Sequence, residues 1–152
     1  NNLGNLLRES GEVAGAVQML EEALKLEPND AETMNNLALA YEDAGRKPDA
    51  LRFYQSAIKA NPRNVEAHVN LGILLMELGQ KEEALTVCRQ ATLLKPDFVE
   101  AQFALFYTLA ESGKMAEAKA TASLVMQMAQ QQNRPDIMRS LEAELSRRGL
   151  LF

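Results

Sequence analysis

Little in this sequence could carry covalent or metal chemistry. His68 is the only histidine and Cys88 the only cysteine among 152 residues. A zinc site of the usual kind needs three or four Cys and His ligands, so this chain cannot supply one. A nucleophile paired with histidine would have to recruit His68, and the eight glycines are spread singly rather than gathered into a phosphate-binding loop. No catalytic residue, metal or cofactor is expected. What the chain does contain is a periodic set of amides and carboxylates. Asn2, Asn36 and Asn70 lie 34 residues apart, and so do Glu9, Asp43, Glu77 and Glu111. An asparagine side chain donates to a carbonyl and accepts from an N–H at once, so it can hold a peptide backbone whatever its sequence. Carboxylates sharing one surface would attract a ligand bearing Lys or Arg.

The elements that position these groups share the same period. Gly11, Gly45, Gly79 and Gly113 are 34 residues apart, as are Ala16, Ala50, Ala84 and Ala118, and Pro28, Pro62 and Pro96. Leu3, Leu37, Leu71 and Leu105 keep the step, and so do Ala23, Ala57 and Ala91. Each unit reads as two helices. In the second, Leu37, Tyr41 and Ala44 fall at helical spacing and Gly45 stops the helix. Pro48 opens the next helix, which carries Ala50, Tyr54, Ala57 and Ile58 on one face until Pro62 forbids continuation. The recurring small residues allow two helices to cross closely. His68 and Cys88 both occupy packing positions, which predicts a core histidine and a small buried hydrophobe. Helices are predicted near 1–10, 13–26, 31–44, 48–60, 65–78, 81–94, 99–112, 115–131 and 135–148, without strands.

Composition agrees with a binding role and excludes others. Apolar residues make up 47% of the chain and charged ones 24%, which suits one folded domain and not a disordered tail. The net charge of −5 argues against nucleic acid, and no run approaches the length of a membrane span. One cysteine allows no internal disulfide and gives no sign of an oxidising compartment, so the compartment is open, with the cytoplasm favoured.

These residues resemble the tetratricopeptide repeat. Its pattern is met in the second unit by Met34, Leu37, Ala38, Tyr41, Gly45, Ala50, Tyr54, Ala57 and Pro62. The third meets it with His68, Leu71, Gly72, Leu75, Gly79, Ala84, Cys88, Ala91 and Pro96. The resemblance covers about residues 1–130 and implies an all-α fold, a right-handed superhelical solenoid of antiparallel helix pairs. One domain over 1–152 is expected: a truncated first repeat at 1–30, repeats at 31–64, 65–98 and 99–132, and a capping helix with tail at 133–152. Asn1 falls at repeat position 5, so the chain looks cut from something longer. Leu3, Leu6 and Leu7 then lack full cover, and this end could pair with another copy. The fourth repeat departs from the pattern at Phe106, where a small residue belongs, at Val125, and at Gln130, which replaces the proline. Its second helix should therefore run on. Pro135, Ile137, Met138, Leu141, Leu145 and Gly149 describe a final helix that covers the last repeat.

The resemblance also implies a concave groove lined by the first helix of each pair. It places Asn2, Asn5, Asn36 and Asn70 there as peptide-binding amides, similar to the asparagine ladder of O-GlcNAc transferases. Glu9, Asp43, Glu77 and Glu111 form an acidic stripe where the family often has Lys, and acids near a helix C-terminus oppose the macrodipole. Reversing Glu77 and Glu111 to Lys is expected to be a tolerated surface change. Val69, Ile73, Met76, Phe103 and Tyr107 line the C-terminal part as an apolar anchor site, unless the last helices fold over it. Glu32, Glu66 and Glu100 are read as structural acids at helix N-termini. Chaperone-tail binding is rejected, because its cation clamp corresponds here to Asn1, Asn5, Asn36, Glu66 and Asn70. The expected function is a non-catalytic protein-interaction scaffold that holds an extended partner peptide, basic or carrying an apolar anchor. The alternatives are a substrate-docking arm of a larger enzyme, such as an O-GlcNAc-type glycosyltransferase, and a self-assembling structural module.

Overall fold

The computed structural model describes the backbone of residues 2–9 and 11–150, and the side chains of 4–9 and 11–150. Among the described residues there are nine helices and no strand: α1 (Asn2–Glu9), α2 (Val13–Leu26), α3 (Ala31–Asp43), α4 (Lys47–Ala60), α5 (Val65–Glu77), α6 (Lys81–Leu94), α7 (Val99–Glu111), α8 (Met115–Gln131) and α9 (Pro135–Arg147). Their bounds lie within one residue of those the spacing predicts. None of these helices is long and apolar enough to cross a membrane.

Local chemistry explains where the helices stop. Gly11, Gly45, Gly79, Gly113 and Gly149 all have positive φ, a conformation that costs glycine no Cβ clash. The amide after each glycine turns back to the helix: Arg46 N–H donates to the Tyr41 carbonyl at 2.8 Å, and Lys114 N–H to that of Leu109 at 2.9 Å. The α8 end makes the same turn without glycine. Asn133 takes φ 52°, and Arg134 N–H donates to the Ala129 carbonyl at 2.8 Å. Asparagine tolerates this region better than other residues, and the sequence pattern alone did not single it out. Starts are set by side chains too. Asp30 accepts from Glu32 N–H at 3.2 Å and from the Thr33 hydroxyl, and Asn64 accepts from Ala67 N–H at 3.0 Å.

Two compact units divide the chain, residues 1–74 and 75–152. In the first, Ala16, Leu20, Leu37, Ala38, Tyr41, Ala50, Tyr54 and Ala57 are buried. The α1–α2 crossing closes over Gly4, where a Cβ would come within 2.7 Å of Leu20 Cγ. The Tyr54 hydroxyl donates to Glu42 Oε2 at 2.8 Å, and the Tyr41 hydroxyl donates to Glu21. Burial, then the Glu21 carboxylate, pushes the Tyr41 phenol up to about 12. His68 is buried, with Nδ1 2.8 Å from the Asn64 carbonyl oxygen.

The second unit has its core around Val99, Phe106, Leu109, Ala118, Ala122, Val125, Leu141 and Leu145. Phe106 fits because a large residue and a small one have changed places. The same two repeat positions hold Gly4 with Leu20, Ala38 with Tyr54, and Phe106 with Ala122, and all six are buried. The third repeat holds two small residues there, Gly72 and Cys88, so only the fourth repeat carries its bulk on the first helix of the pair, where the facing Ala122 leaves room for it. Cys88 Sγ lies 3.4 Å from Thr108 Oγ1, and burial pushes its thiol pKa up, which makes it inert. Helix α9 caps this core with Leu141 and Leu145.

Polar contacts latch α9 at both ends. Arg134 pairs with Glu100 and, at 2.8 Å, with Asp136, while Gln132 Nε2 donates to the Asp97 carbonyl at 2.8 Å. At the far end Arg148 pairs with Glu111. The hydrogen bond from Arg148 holds the Glu111 carboxyl below its ordinary 4.5, and that from Arg134 holds Asp136 at about 2. A carboxyl whose folded pKa lies below its unfolded value adds stability that is complete above the unfolded value and lost as pH falls through the folded one. Acidification from about pH 5 toward pH 3 should therefore lower the melting temperature of the chain. Glu111→Gln should show a shallower pH dependence in the same thermal melts.

Candidate functional site

Within the first compact unit, the N-terminal ends of α3 and α5 and the loops before them enclose a cleft of about 760 Å³. Its polar lining is dominated by asparagines. Asn35 and Asn36 come from the first turns of α3, and Asn29, Asn61 and Asn64 from the loops. Asn35 is 6% exposed, and its Oδ1 accepts from Asn70 Nδ2 at 3.1 Å. Asn70 thus acts through Asn35: it orients that amide, and the Asn35 Nδ2 is left as a donor on the cleft wall. Asn61 and Asn64 use their oxygens to organise their own loops, accepting from Arg63 N–H at 3.1 Å and Ala67 N–H at 3.0 Å. The loop asparagines were missed from sequence, because none of them recurs at the 34-residue step that marked the other amides.

Charge in the cleft comes from Asp30, Glu32 and Glu66 against Arg63. Among the described residues, the side chains of Glu32 and Glu66 make no ion pair, so these helix-start acids face the cleft with their charge unanswered. The stripe predicted at Glu9, Asp43, Glu77 and Glu111 is different. Asp43 pairs with Arg8 at 3.2 Å, and Glu111 with Arg148 and, at 3.6 Å, Arg147. Glu9 and Glu77 are exposed. Two of the four acids of that stripe, Asp43 and Glu111, are thus met by arginines of the same chain. Glu111 is also corrected as a tolerant surface position, since it holds α9.

Among the other expected groove residues, the Asn2 side chain and Leu3 lie outside the described ones. Asn5 is half-buried and its Oδ1 has no partner. Leu6 is 60% exposed. Ile73 is half-buried, whereas Val69 and Met76 are buried and line no open surface. Phe103 packs against the core, its ring centroid 6.0 Å from that of Phe106. Arg148 lies 5.4 Å from the Tyr107 ring centroid, so the last helix does fold over part of the apolar anchor site.

Two sequence models of the tetratricopeptide repeat match the chain, over residues 1–65 and 48–98. The chain belongs to the tetratricopeptide repeat family. Beyond residue 98 lie Phe106, Val125 and Gln130, the departures from the repeat pattern. The tetratricopeptide fold nevertheless extends through that region in solved structures. TTC0263, a thermophilic protein of the family in Thermus thermophilus, is 22% identical with a TM-score of 0.81, covering 94% of this chain and 78% of that one. MamA is 22% identical with a TM-score of 0.76, covering 97% and 85%. YrrB, a tetratricopeptide protein with an unusual peptide-binding site, is 23% identical with a TM-score of 0.71, covering 98% and 76%. At such identities the likeness shows the fold. A search of curated protein sequences found no significant match.

Proposed function

We propose that this tetratricopeptide chain is a non-catalytic scaffold that holds an extended segment of a partner protein in the amide cleft of its first compact unit. The observation that carries this is the cleft itself, where the amides of Asn35 and Asn36 line a space large enough for several residues of peptide. Amide donors and acceptors match a backbone without regard to its side chains. Glu32 and Glu66 favour lysine or arginine beside that backbone, a role that Asp43 and Glu111 cannot fill while they are paired within the chain. His68 and Cys88 are buried, so neither offers an accessible base or nucleophile. The peptide-binding site of YrrB, a protein of the same fold, is consistent with this use of the scaffold.

The test is selection from a randomised peptide library, followed by affinity measurement by calorimetry. Bound sequences should be enriched in Lys and Arg, and raising salt should weaken them, because exposed charges are screened beyond roughly 8–10 Å. Asn36→Ala should weaken binding about five- to tenfold, as losing one hydrogen bond costs about 1 kcal/mol. Glu32→Gln with Glu66→Gln should abolish the basic preference. A library with no basic enrichment, or an unchanged affinity in Asn36→Ala, would overturn the assignment.

A further inference from the structure

Tyr107 and Glu111 are one helical turn apart on α7 and so present one face, a π surface beside a carboxylate. Arg148, just past the end of α9, fills that face. Its guanidinium lies 5.4 Å from the Tyr107 ring centroid, donates to Glu111, and reaches Glu144 at 3.1 Å. Its side chain is only 10% exposed, unusual for an arginine at a helix end. The backbone supports this seat. Gly149 turns at φ 65°, Leu150 N–H donates to the Leu145 carbonyl at 2.8 Å, and the Leu150 side chain packs on the core. Arg147 adds a second, more exposed contact to Glu111. The acid at the equivalent position of the second repeat, Asp43, also holds an arginine of the chain, Arg8.

We infer that the Tyr107–Glu111 face is an arginine-recognition subsite, occupied in this structure by Arg148 as an internal ligand. An arginine-bearing segment of a partner protein would compete for it. The chemistry selects arginine over lysine: a planar guanidinium stacks on the ring and forks toward the carboxylate at once, which a compact ammonium cannot do. A competing arginine can reach the site because Glu111 is 30% exposed and its pair with Arg147 faces solvent; the exchange leaves Glu111 paired, since the incoming guanidinium takes the place of that of Arg148. The Arg148 segment therefore works as a competitive gate, which opens only to a ligand matching its own Arg-Arg-Gly-Leu chemistry. This subsite lies in the second compact unit, apart from the amide cleft, so its test can fail without touching the proposed function.

The experiment uses the full chain and a fluorescent synthetic peptide of sequence ELSRRGL, copied from residues 144–150, read by polarisation. Wild type should bind it weakly. Arg148→Ala should bind it at least tenfold more tightly, and ELSKKGL should gain much less. Adding Tyr107→Leu to Arg148→Ala should remove the gain. Circular dichroism checks that α9 remains folded. Should Arg148→Ala melt it, Arg148→Lys keeps a cation at Glu111 while vacating the ring, and should still show a gain over wild type. If neither variant binds the peptide better than wild type, or if Tyr107→Leu leaves the gain intact, Arg148 is a structural strut only and the inference is overturned.

Discussion

Replacing Phe106 with alanine should destabilise the chain by about 3–5 kcal/mol, the range seen when a buried phenylalanine leaves a cavity. Phe106 is fully buried, and its neighbours include Ala122 and Val125, which are too small to fill the space. The cost should be recoverable from the facing helix. Ala38 with Tyr54 in the first compact unit shows the opposite distribution of bulk at the same two repeat positions. Phe106→Ala combined with Ala122→Phe should therefore restore a substantial part of the lost stability. Phenylalanine is the right choice there: the Tyr54 hydroxyl is satisfied by Glu42, and the residue equivalent to Glu42 is Ala110. Denaturant midpoints at constant m-value measure both effects. A loss under about 1 kcal/mol, or a double variant no better than the single one, would show that the two positions do not share one volume.

Removing α9 should have an effect of similar or larger size. Leu141 and Leu145 are buried in the cluster that contains Phe106, Leu109 and Val125, and deleting residues 135–152 would open that cluster to water. An uncovered apolar face at the end of a repeat array promotes association as well as instability. The truncated chain should be less soluble and melt at a lower temperature. Leu141→Ala tests the packing contribution alone and should cost about 2–5 kcal/mol. By comparison, breaking the exposed Arg134–Asp136 pair should cost far less than either change, because solvent screens it, although what it contributes is present in full near neutral pH. If the truncated chain stays as soluble as wild type and melts at the same temperature, α9 is not a cap.

The fold was legible because its determinants are local and recur. Four glycines at a fixed step place the left-handed residue that ends each first helix, and Pro48 and Pro135 pre-set the starts of α4 and α9. Phe106 was readable as a departure, but its compensation at Ala122 was not, because only packing shows that a large residue on one helix and a small one on the other exchange volume. The groove was half legible. Asn36 and Asn70 stood out by their spacing, whereas the contributions of Asn35, Asn29, Asn61 and Asn64 depended on a cross-helix amide contact and on how two loops approach each other.

Sequence alone determined the repeat period, the helix bounds, the burial of His68 and Cys88, and the apolar stripe of α9. Each follows from backbone geometry or from side-chain periodicity along a single helix. Tertiary structure decided which charges remain available to a ligand. Asp43 meets Arg8 and Glu111 meets Arg148 across more than thirty residues of chain, and Asn70 turns its donor to Asn35 over a similar distance. The strength of a charge or an amide as a binding group depends on its partners and on its solvation. Those are set by which helices pack together, and the residue type and its spacing do not contain them.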